Sequence, residues 1–140
     1  MSVLDNDQVR GFLRAAWSDS QPGTPGSHEE GGFVLINNDG TLTVERWPRG
    51  QQDRIEVPNH SGGRRSGMII VASFHTHPNP GLEFQQEPSL TDIRAVRYDP
   101  DLGHPEFEGE YVIASDHLYR VLRDGTVEDL GITRALLQLN

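Results

Sequence analysis

The sequence predicts an α+β domain, with a single mixed β-sheet of about six to eight strands flanked by two or three helices. Three observations lead there. Short β-branched apolar runs recur, the most apolar being MIIVASF at residues 68–74. Tight-turn signals, Asn38-Asp39-Gly40 and Asp124-Gly125, separate pairs of such runs. Helical periodicity is confined to the two ends and to a segment beginning near Pro88. A chain of 140 residues can bury one real core, and no composition shift or repeat divides it, so 1–140 reads as one domain.

The elements follow in order. DNDQVRGFLRAAW, residues 5–17, places Val9, Phe12, Leu13, Ala16 and Trp17 on one helical stripe. SDSQPGTPGS, residues 18–27, holds two prolines and two glycines and reads as a loop. Phe33 to Ile36 reads as a buried strand that returns, after the Asn-Asp-Gly turn, through Leu42, Val44 and Arg46. Asp53 to Val57 is expected to form a further strand, and residues 58–67 a polar loop. MIIVASF has the length and β-branching of a central strand. Pro88 to Arg97 reads as a helix with Ile93 and Val96 inward, and residues 99–109 as an acidic loop. YVIAS and HLYRVL then form two strands, a third follows Asp124-Gly125, and ITRALLQL closes the chain as a short helix. Trp17 and Trp47 are expected in core or rim packing.

Composition excludes several function classes. Twelve basic against 21 acidic side chains give a formal charge of -9, which argues against the clustered Lys and Arg that a nucleic-acid backbone requires. No run approaches the roughly 18–20 apolar residues of a membrane span. The N-terminus lacks the basic start and apolar stretch of a signal peptide. The expectation is a cytoplasmic protein without a membrane partner, with signal-less export as the alternative. The absence of cysteine removes disulfides, thiol nucleophiles and thiolate zinc sites, so any metal must be held by His and carboxylate.

The chemistry is concentrated in FHTHPNPGLEFQQEPSLTDI, residues 74–93. His75 and His77 lie two apart where the apolar strand ends, so both rings point to one side. Ser89 and Asp92 have the spacing of a helix capping box, the commonest meaning of S-x-x-D. Beside two histidines, Asp92 can also supply a third metal ligand. Two imidazoles and one carboxylate leave a tetrahedral position open to water, the pattern of a catalytic zinc site. A base is then required, and the head of the first strand carries Glu29-Glu30. An HExxH reading of His28-Glu29 fails because position 32 is Gly. His28, His60, His104 and His117 are expected at the surface, with His28 close enough to bond to the base.

Together, Glu29-Glu30-Gly31-Gly32-Phe33, His75-Thr76-His77-Pro78 and Ser89-Leu90-Thr91-Asp92 resemble the signature of the JAMM (MPN-domain, JAB-type) zinc metalloproteases, in their prokaryotic branch. The resemblance covers roughly residues 28–122. It implies an MPN/JAB-like, cytidine-deaminase-like architecture, with His75, His77 and Asp92 as Zn2+ ligands, Glu29 as general acid/base and Ser89 as oxyanion donor. Glu30 stays a second candidate for the base. The resemblance further implies hydrolysis of an amide bond in a protein or peptide, with the C-terminal tail of a ubiquitin-like protein as the substrate class. Two departures stand out: the segment from Asn79 to Pro88 is longer than the family's usual spacing and is read as facing substrate, and residues 49–67 lack a helical pattern. Two alternatives remain. One is a non-catalytic scaffold of the same fold. The other is a secreted or phage-associated peptidase acting on cell wall, toxin or tail protein, with the acidic loop meeting a basic partner.

Overall fold

Ten consecutive residues, Met68–His77, form the longest strand, and the sheet is built outward from it. The structure, a computed structural model, describes residues 2–80 and 84–139. In chain order the elements are α1 (Asp7–Asp19), β1 (Gly31–Ile36), β2 (Leu42–Arg46), β3 (Arg64–Arg65), β4 (Met68–His77), α2 (Leu90–Arg97), β5 (Glu110–Ala114), β6 (His117–Val121), β7 (Val127–Ile132) and α3 (Thr133–Leu136). The seven strands form one sheet in the order β2-β1-β4-β5-β6-β7, with β3 pairing β4 at its start. Only β4 and β5 run parallel, joined through α2; the other pairs are antiparallel, so the sheet is mixed. Among the described residues there are three α-helices, and none is long and apolar enough to cross a membrane.

The two faces of the sheet carry separate cores. On one, α1 presents Val9, Leu13 and Ala16 to Val34, Ala72, Phe74, Tyr111, Ile113 and Leu118. Those α1 positions recur at helical spacing, and the Asn6 side chain caps the helix by accepting the Val9 N–H at 3.0 Å. Phe12, expected on this stripe, is 37% exposed, because it lies about one residue beyond the face that Leu13 fills. On the other face, Val96 of α2 packs with Phe33, Leu35, Ile70, Leu102, Phe107 and Val121. Ile93 flanks this second core as expected, and Trp47 meets Phe33 edge-on at 5.2 Å between centroids.

Residues 49–67 depart from expectation in two ways. Asp53 to Val57 forms no strand; Asp53, Arg54, Glu56 and Val57 are all exposed, so the alternation lacks a second apolar surface to bury it. The polar loop instead contributes a 3-10 turn at Ser61–Gly63 and the two-residue β3. The acidic loop likewise holds a 3-10 turn, Pro100–Leu102, and buries Leu102 and Phe107.

What fixes the position of β1 against β4 is the absence of side chains. Gly31 pairs with His75 and Gly32 with Phe74. A Cβ on Gly31 would come within 2.5 Å of the Trp47 ring and 2.6 Å of the Phe74 carbonyl oxygen. Gly31→Ala is therefore expected to destabilise the protein by about 1–3 kcal/mol in urea unfolding. Gly11→Ala serves as its control. That Cβ would meet nothing closer than Arg14 Nη2 at 3.6 Å. It should stabilise α1 by up to ~1 kcal/mol.

Candidate metal centre

The register of β1 on β4 decides which acidic residue enters the site. Beyond the Gly31–His75 pair the strands stay in step, since the Thr76 N–H donates to the Glu30 carbonyl at 2.9 Å. One residue further, Glu29 comes opposite His77. Directly opposed residues share a sheet face, so Glu29 joins His75 and His77 while Glu30 points to the other side. The side chains follow this rule. The Glu29 carboxylate and the two imidazoles bring ligand atoms within 4.8 Å of one another, all three residues buried. The Glu30 carboxylate instead meets His28 Nε2 at 2.5 Å and Arg46 Nη2 at 2.7 Å.

His28 corrects the sequence expectation twice. It is buried rather than at the surface, and it bonds to Glu30 rather than to Glu29. The loop before β1 folds back on α1, with the His28 N–H donating to the Ser20 carbonyl at 3.0 Å, and this encloses the ring. His60, His104 and His117 are half-buried. His60 and Asp99, at 2.5 Å, join with Asp101, which accepts the Gly62 N–H at 2.9 Å, to tie the two 3-10 turns together.

Each imidazole of the central pair is held from behind. His75 Nδ1 lies 2.6 Å from a carboxylate oxygen of Glu110, and His77 Nδ1 lies 3.0 Å from the main-chain oxygen of Gln86. The carbonyl can only accept, and the carboxylate attracts a proton, so both Nδ1 atoms are donors and both Nε2 atoms face forward. The Nε2 atoms are 3.2 Å apart. Asp92 completes the arrangement: Oδ1 is 3.4 Å from His75 Nε2 and Oδ2 is 3.3 Å from His77 Nε2.

Asp92 is also a capping residue. Its Oδ2 accepts the Ser89 N–H at 2.8 Å, while Ser89 Oγ accepts the Asp92 N–H at 3.1 Å. The two readings of S-x-x-D are therefore one geometry, in which the cap aims the carboxylate at the imidazoles. The Ser89 hydroxyl proton has no acceptor among the described residues and can serve a ligand.

No family model, curated protein or solved structure matches the chain. The chemistry of the site therefore rests on its own geometry.

Electrostatics favour a bound cation. Burial pushes the Glu29 carboxyl up to about 7, against the pull of His75 and His77 and with help from Asp92 and Asp53. Burial opposes charge on Asp92 as well, but bonds from His75, His77 and the Ser89 N–H outweigh it and hold the carboxyl well below its usual range. Burial disfavours a charged His75, yet Glu110 and Asp92 overcome that and raise its affinity for a proton. Three carboxyl groups, those of Glu29, Asp92 and Glu110, surround the two imidazoles. A divalent cation fits this donor set: the buried Glu29, His75 and His77 are positioned to hold one, with the half-buried Asp92 beside both rings.

The site floors a cleft of about 450 Å³ whose walls include Trp47, Ile55, Val57 and Phe84. Asn79, buried beside His77 and Pro78, donates to the Gln52 carbonyl at 2.7 Å and so ties the lengthened segment to the opposite wall. Residues 81–83 of that segment lie outside the described residues, so its reading as substrate-facing rests on its two ends.

Two groups escaped the sequence reading, Glu110 and the Gln86 carbonyl. The acid at the head of YVIAS was visible. Its approach to His75 depends on the parallel pairing of Ser73 with Glu110.

Glu29 has a consequence for stability. A carboxyl raised in the fold favours the folded state below its unfolded value near 4.5, and that advantage is lost as pH rises through about 7. Metal-free Glu29→Gln protein should equal wild type near pH 4 and exceed it above neutrality by on the order of 2–3 kcal/mol, measured by chemical unfolding across pH.

Proposed function

We propose that the chain is a zinc-dependent hydrolase of amide bonds, a peptidase or isopeptidase of the JAMM type on an MPN/JAB-like fold. One observation carries the reading: His75 Nε2, His77 Nε2 and the Asp92 carboxylate converge beside Glu29 at the floor of an open cleft. His75, His77 and Asp92 would hold the ion, and two imidazoles with one carboxylate suit zinc with a position left open. When bound, zinc polarises a substrate carbonyl and lowers the pKa of water toward about 7.

The chain's own residues do the rest. Glu29, whose carboxylate lies beside the two imidazoles, accepts the proton of the attacking water and returns it to the leaving amine. The cap holds Ser89 at the rim, where its hydroxyl donates to the carbonyl oxygen as negative charge builds there. Glu30 is committed to Arg46 and His28 and takes no part.

The cleft favours an extended peptide over a compact small molecule. Ile55 and Val57 line both the site and a second groove, which is also lined by Pro48, Arg49, Glu56 and Pro58. An extended segment could lie there and reach the site end-on. The tail of a ubiquitin-like protein is a substrate of that shape.

Elemental analysis of protein loaded with zinc and desalted should give close to one ion per chain. Asp92→Asn should lower zinc retention and abolish cleavage of a peptide or isopeptide substrate. Glu29→Gln should retain zinc and lose about 10²–10⁴-fold in turnover. Loss of zinc from the Glu29→Gln protein would instead make Glu29 a ligand.

A further inference from the structure

The two imidazoles are backed by groups of different kinds. His77 leans on a neutral main-chain carbonyl, that of Gln86, from the segment at the mouth of the cleft. His75 leans on Glu110, a carboxylate at the first position of β5. Glu110 is 7% exposed and, like the histidines, lines the floor of the cleft. Burying an acid there is costly unless its charge is used.

Its placement follows from the sheet. Parallel pairing sets Ser73 beside Glu110 and His75 beside Val112, so Glu110 lies on the imidazole face and behind the His75 ring. At 2.6 Å the Glu110 oxygen holds the Nδ1 proton and turns Nε2 toward His77 and Asp92. His75 is thereby oriented by two neighbouring strands of the sheet, whereas His77 takes its bond from a loop.

We propose that Glu110 is the positioning residue of the metal centre: through its hydrogen bond to Nδ1 it fixes the tautomer and ring orientation of His75 and strengthens that ring as a ligand. A carboxylate behind a ligating imidazole makes the ring more electron-rich and limits its rotation. The Glu110 oxygen is engaged with Nδ1, the ring nitrogen that faces away from Asp92, so its effect on the ion passes through His75. The inference rests on the proposed metal reading of His75, His77 and Asp92.

Zinc affinity is measured by competition with a chromogenic chelator for wild type, Glu110→Gln and Glu110→Ala. The alanine variant should bind zinc about 10–100-fold more weakly, and the glutamine variant, which keeps an acceptor but no charge, several-fold more weakly. Proton NMR of the zinc-loaded proteins supplies a readout that a purely structural role would not move. The slowly exchanging Nδ1–H of His75 should persist in wild type and the glutamine variant and vanish in the alanine variant, while that of His77 stays. Should the alanine variant not fold, the nearly isosteric glutamine variant decides. Wild-type zinc binding with either variant within about twofold of it would overturn the role of Glu110 alone. A wild type that takes up no zinc would overturn the metal reading and this inference with it.

Discussion

The carboxylate of Asp92 is the contact on which the site depends. Its Oδ2 closes the N-terminal cap of α2 by accepting the Ser89 N–H and also faces His77, while its Oδ1 faces His75. A side chain so engaged has almost no rotational freedom left, and the helix that it caps is packed by Val96 into the core below. The anion also lies in the first turn of α2, where the helix dipole favours negative charge. Helix start and carboxylate direction are thus a single local solution, and no separate device is required to aim the carboxylate at the imidazoles.

The position of this contact in the sheet explains why chemistry gathers there. β4, α2 and β5 form a parallel crossover unit, and the open space in such a unit lies beyond the carboxyl end of the first strand. His75 and His77 occupy that end, and α2 begins beside it. The segment leading into the antiparallel neighbour β1 contributes Glu29 from the opposite side, brought close because Gly31 carries no side chain to separate the strands. Carboxylates therefore approach the imidazoles from three elements, and the dense buried charge that results is stable only with a cation or with protons shared among its members.

Parts of this were legible in the chain and parts were not. Period-two spacing is a property of any strand, so the shared direction of His75 and His77 could be read directly. S-x-x-D spacing likewise encodes the cap. The choice between Glu29 and Glu30 could not be made locally, because adjacent residues exchange faces with a one-step change of register. The same limit hid Glu110, 35 positions from its partner. His28 was misread as a surface residue since nothing local reveals that the preceding loop folds back onto α1. Asp53 to Val57 alternated convincingly but had no apolar surface to cover its outer side.

By itself, then, the sequence determined the α+β class, the central place of MIIVASF, the orientation of the two histidines and the cap that holds Asp92. Each depends on periodicities or contacts spanning only a few residues, which the backbone geometry of helix and strand enforces wherever they occur. Only the tertiary structure decided that Glu29 faces the imidazoles, that Glu30 is consumed by Arg46 and His28, and that Glu110 stands behind His75. Those outcomes depend on strand registers set by glycines and by packing across the sheet, and a register is a relation between segments that neither segment carries alone.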